Sequence, residues 1–135
     1  MKLFLYCLSI LSSLILLYGC GEKTKSSLIN NATIHKNYDI SEKYQSVFKK
    51  INEKFVECSG RAAFYMQRNI YPEIGEAELY MHGIDGSGYV FLITIKSNMD
   101  LMSKVDVYSK VSTGDFKQFI EIVKYAVDGN EGCPH

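Results

Sequence analysis

Apolar residues in DISEKYQSVFKKINEKFVECSG, residues 39 to 60, return every three or four positions, at Tyr44, Val47, Phe48, Ile51, Phe55 and Cys58. That period predicts a helix with one stripe against a core. Asp39 or Ser41 offers a side-chain oxygen to the free amides at its start, Asp39 with Glu42 resembles a capping box, and Gly60 suits the left-handed turn that ends a helix. From residue 61 the period falls to two. In EAELYMH, residues 76 to 82, Ala77, Leu79 and Met81 alternate with Glu76, Glu78, Tyr80 and His82, the pattern of a half-buried strand. GIDGSG, residues 83 to 88, supplies a hairpin connection, and YVFLITIK then reads as a central strand. KVDVYSKV alternates again, with Val105, Val107 and Val111 on one side and Lys104, Asp106, Tyr108 and Lys110 on the other.

RAAFYMQRNIY, residues 61 to 71, fits a fourth strand through its aromatic content and the following Pro72, although Ala62, Tyr65, Met66 and Asn69 also share a helical face. In STGDFKQFIEIVKYAVDG the stripe Phe116, Phe119, Ile120, Val123 and Val127 predicts a final helix, with Ser112 or Thr113 as cap and Gly129 as terminator. The expected fold is α+β: a four-stranded antiparallel meander flanked in sequence by two helices packed on one face.

The first 19 residues have another character. One lysine, Lys2, precedes an apolar run over residues 3 to 18 that is short of the roughly 20 residues a membrane-spanning helix needs, and a small residue, Gly19, follows. This is the shape of a cleaved export signal. Leu17-Tyr18-Gly19-Cys20 resembles the lipobox of bacterial lipoproteins, with Tyr18 departing from the small residue usual there. The resemblance implies that Cys20 carries a diacylglyceryl group and begins the mature chain. It further implies, through Gly21 in place of an aspartate, sorting to the outer membrane. Two or more acyl chains make a lasting anchor.

The chain divides into a signal peptide over 1–19, a lipidated cysteine and flexible polar tether over 20–38, and one domain over 39–135. A coil of the tether's length holds a domain on the order of 25 Å from the lipid. His35 lies in this tether and is expected to be solvated.

Lys plus Arg and Asp plus Glu both number 15 in 135 residues, and they are interleaved. No basic patch of the kind that binds a phosphate backbone is evident, so nucleic acid is not an expected partner. Cys58 closes the first helix and Cys133 follows the last. In an exported chain these positions predict a disulfide, which by the chain-entropy model contributes about 4 kcal/mol. Neither cysteine has a CxxC partner, and a metal or cofactor is not expected.

No nucleophile elbow, zinc-protease motif, phosphate loop or dinucleotide turn occurs. His82, Asp85 and Ser87 crowd the hairpin, but a turn open to water gives a nucleophile little orientation, so a non-catalytic protein is expected. Glu73, Glu76 and Glu78 read as a solvated set. The side of the sheet away from the helices would present Tyr65, Tyr80 and Tyr108 with Glu78 and Asp106, and tyrosine is enriched at protein interfaces. The expected function is therefore a membrane-anchored periplasmic lipoprotein that binds another envelope component, a protein, through this face. An alternative is an inhibitor or immunity protein acting on an envelope-targeting hydrolase or toxin.

Overall fold

A computed structural model describes residues 24–83 and 88–135. The lipobox, Cys20 and the hairpin residues Asp85 and Ser87 lie outside them. The elements are α1 (Lys25–Asn31), β1 (Ile34–Ile40), α2 (Tyr44–Cys58), β2 (Gln67–Tyr71), β3 (Glu76–His82), β4 (Tyr89–Ser97), β5 (Ser103–Ser109) and α3 (Asp115–Val127), with 3-10 turns over Gly60–Tyr65 and Pro72–Ile74. All five strands pair antiparallel in the order β1-β5-β4-β3-β2.

The sheet has one strand more than the four read from sequence. The addition is β1, and it comes from residues 34–38 of the expected tether together with Asp39 and Ile40 of the expected first helix. IHKNYDI alternates, but Lys36 interrupts its inward-facing series of Ile34, Tyr38 and Ile40, which hides the period. Strand β1 docks on β5 with Ile34 opposite Ser109 and Ile40 opposite Ser103. With residues 34 to 40 in a strand, α2 cannot begin at Asp39 or Ser41. Its N-cap is Lys43, which makes no side-chain cap.

Helices α2 and α3 pack on one face of the sheet. Val47, Ile51 and Phe55 of α2 and Phe119, Ile122 and Val123 of α3 meet Ala77, Leu79, Phe91, Ile93, Ile95, Val105 and Val107 in a single core. Phe55, Phe91, Phe116 and Phe119 form an aromatic cluster there, edge-to-face in four of its ring pairs and tilted between Phe91 and Phe116, and edge-to-face geometry adds roughly 0.5–1.5 kcal/mol per pair beyond area burial. The α3 N-cap is Gly114, at φ 61 and ψ −140, a conformation suited to glycine and to neither Ser112 nor Thr113. Gly129, at φ 71, ends the helix as its sequence predicts. Val111 lies beyond the end of β5 and is exposed.

Residues 61 to 71 divide between the two readings that their sequence allows. Gly60–Tyr65 is a 3-10 turn and Gln67–Tyr71 is strand β2. Arg68 fastens the junction, its guanidinium donating to the Met66 and Ala63 carbonyls and to Asn52 Oδ1. Cys58 and Cys133 are bridged, with Cα atoms 5.4 Å apart. The chain end is further held where Lys54 Nζ donates to the Gly132 carbonyl at 3.0 Å.

Candidate functional site

Strand register fixes which side chains share the sheet face opposite α2 and α3. Three rows cross it: Tyr71, Glu76, Lys96, Lys104 and Asp39; then Asn69, Glu78, Thr94, Asp106 and Asn37; then Gln67, Tyr80, Leu92, Tyr108 and His35. A register shift after Met81 sets His82 opposite Tyr89 at the end of the face. Tyr80, His82 and Tyr89 close into a trio with ring centroids 4.5 to 5.4 Å apart.

Tyr80, Tyr108, Glu78 and Asp106 therefore share one face, as expected from period two. Tyr65 does not. It falls in the 3-10 turn, where it lines an apolar groove of about 650 Å³ with Met81, Val90, Phe116 and Phe119, beside the helical layer. A strand through residue 65 would have put it on the sheet; the turn carries it off the edge.

The face is also less open than its sequence suggests, because α1 lies across β4 and β5 on this side. Leu28 is its only buried side chain. On the same side of the sheet Leu92, which points away from the main core, is fully buried. Lys25 reaches Glu78, donating to both carboxylate oxygens at 2.9 and 2.8 Å, and the Tyr71 hydroxyl donates to the same carboxylate at 3.3 Å. Glu78 is thus only 6% exposed, where alternation alone placed it in solvent. Burial works to lower the Lys25 ammonium pKa, but the hydrogen bond and charge of Glu78 outweigh it and hold the group above its ordinary value. Glu76, half-buried, pairs with Lys96 at 3.1 Å.

Across the face the second carboxylate, Asp106, is 7% exposed. His35 Nε2 lies 2.9 Å from its Oδ1, and Lys104 Nζ lies 3.8 Å from its Oδ2. The His35 ring stacks on Tyr108, centroids 4.4 Å apart and planes within 10°. His35 is therefore part of the face and not of a tether, and it remains exposed to solvent as expected. Burial, then the Asp106 charge, raise the Tyr108 hydroxyl pKa against a lowering pull from Lys96. Burial likewise raises Tyr89 against the pull of Lys25.

Glu78 and Asp106 stand two strands apart in one row, about 10 Å by strand spacing, with Thr94 between them. Each has a cationic neighbour. The arrangement is an aromatic platform with two carboxylates set below ring height, suited to packing and hydrogen bonding across a protein contact. Glu57, Cys58 and Cys133 are close enough together to suggest a metal site, but the two sulfurs are bonded to each other. No described helix is long and apolar enough to cross a membrane. No protein-family model matches the chain, and neither does any curated protein sequence.

Proposed function

We propose that this chain is a lipoprotein anchored through Cys20 in the bacterial outer membrane, facing the periplasm, and that its domain binds another envelope protein without catalysis. The observation that carries the binding reading is the face formed by Tyr71, Tyr80, His82, Tyr89 and Tyr108. It keeps five polar aromatic rings on a rigid sheet and outside the hydrophobic core. Rings on strands lose little entropy on contact, and their hydroxyl and imidazole tips offer hydrogen bonds to a partner.

The anchor reading rests on the Leu17-Tyr18-Gly19-Cys20 motif. Because the described fold starts at Thr24, four residue steps from Cys20 span at most about 14 Å. The domain then rides against the lipid, closer than a long flexible tether would hold it.

Two experiments test the parts separately. Labelled palmitate should enter the full chain and be lost in Cys20→Ser; labelling that persists in that variant removes the anchor. Affinity capture from intact cells should recover one envelope protein with the wild-type chain and lose it with Tyr80→Ala/Tyr108→Ala, judged at equal thermal stability. An unchanged capture would move the site off this face.

A further inference from the structure

We propose that the protein pairs with a second copy of itself along β1, joining two five-stranded sheets edge to edge. Strand β1 is one border of the sheet. It is seven residues long, pairs with β5 in unbroken register, and exposes His35, Lys36, Asn37 and Asp39. An edge of this kind presents an unpaired row of backbone donors and acceptors, and natural sheets either blunt such edges or use them.

The sequence of β1 complements itself about its centre. In an antiparallel pairing with the two-fold axis at Asn37, Ile34 meets Ile40 of the second copy, His35 meets its Asp39, Lys36 meets its Tyr38, and the two Asn37 residues face each other. Every opposed pair is apolar, imidazole on carboxylate, cation on aromatic, or amide on amide, the classes that stabilise cross-strand neighbours. Charge disfavours two of the alternatives. Centring on Lys36 opposes two ammonium groups, and parallel in-register stacking sets Lys36 on Lys36 and Asp39 on Asp39.

The opposite border, β2, has no such symmetry. It is five residues long and ends at Pro72, and pairing about Asn69 would oppose Arg68 to Ile70. The β1 contact is also compatible with the anchor, a point that rests on the lipoprotein reading. A two-fold axis normal to the sheet keeps both α1 helices, and so both chain starts, on one side of a ten-stranded sheet, where a single membrane can hold both. Seven pairs bury less than a stable soluble dimer needs, so confinement at a membrane is what favours association.

The test is oxidative cross-linking of the full chain in intact cells, with cysteine placed singly at 35, 37 and 39 and, as a control on α2, at 53. In the proposed register the residue-37 Cα atoms of the two copies lie about 5 Å apart, while the residue-35 and residue-39 pairs lie about 14 Å apart, beyond the roughly 7 Å reach of a disulfide. Asn37→Cys should give a dimer at least tenfold faster than His35→Cys, Asp39→Cys or Glu53→Cys. Adding Asp39→Lys should slow it severalfold, read at a temperature where the variant is as fully folded as its parent. Equal rates at all positions, or indifference to Asp39→Lys, would overturn the register. A cross-linked dimer of the Asn37→Cys variant from concentrated purified chain but not from cells would count against the anchor alone. No dimer in either would overturn the pairing.

Discussion

Leu28→Ala should detach α1 while leaving the domain folded. A seven-residue helix has no stability of its own, so α1 exists because of what it touches. Its anchors are one buried side chain, Leu28, and Lys25, which pairs with Glu78 and lies 5.9 Å from the centre of the Tyr71 ring. The Lys25 side chain is 37% exposed, so solvent screening holds that pair to about 1 kcal/mol or less. Burying a leucine contributes about 1.5–3 kcal/mol, and truncation to alanine in this thin contact should cost about 2 kcal/mol. That is roughly a 30-fold shift toward the detached helix.

Hydrogen exchange reads this directly. The Leu28 amide, bonded to the Thr24 carbonyl, and its helical neighbours should lose their protection in the variant. Amides of β3, β4 and β5 should keep theirs, because the core lies on the other face. Lys25→Met should loosen the helix less. Retained protection across 25–31 in Leu28→Ala would show that the leucine does not hold the helix, and loss of protection throughout the sheet would show that α1 is integral to the core.

Other consequences are measurable on the same protein. Replacing Cys58 and Cys133 together by alanine should lower unfolding free energy by up to about 4 kcal/mol in denaturant titration, since the bridge spans 75 residues; a loss under 1 kcal/mol would contradict the chain-entropy model here. Gly75→Ala should destabilise by about 2 kcal/mol, because φ is 67 and an added Cβ would stand 3.1 Å from Ser97 Cβ; an unchanged midpoint would show that the turn yields. Lys25, Tyr38, Tyr89 and Tyr108 all have raised pKa values in the fold, so between about pH 10 and 11 the native state holds more protons than the unfolded chain. Their contribution is intact below the ordinary values of 10.0 and 10.5 and is lost as pH climbs through the folded values. The thermal midpoint should therefore fall above about pH 10, and a flat profile to pH 11 would contradict it.

The parts of the fold that sequence announced are those where one period governs a whole element. Ala77, Leu79 and Met81 alternate cleanly, YVFLITIK is apolar enough for a central strand, and Phe119, Ile120 and Val123 mark α3. The Cys58 and Cys133 pairing was legible because Cys58 ends α2 and Cys133 lies in the short tail after α3, which packs on the same face of the sheet. What escaped reading is held by partners distant in sequence. Helix α1 has a single anchoring leucine and β1 carries Lys36 among its inward positions, so both look like polar linker until β5 and Leu92 are in place. The same omission explains Glu78 and His35. Local pattern leaves both in solvent; Glu78 is in fact buried, His35 stays exposed, and each is bonded through a contact more than fifty residues away. Tyr80 and Tyr108 could be set on one face by counting in twos, whereas Tyr65 could not, because a 3-10 turn interrupts the count.

Binding through the tyrosine face is tested most directly by site-specific photo-cross-linking in intact cells, with a benzophenone side chain at Tyr80 or Tyr108 and, as controls on the helical layer, at Glu53 or Gln118. Positions 80 and 108 should trap the same envelope protein, and positions 53 and 118 should trap none. Trapping from the helical layer with silence at 80 and 108 would place the partner on the wrong side of the sheet and end the proposal.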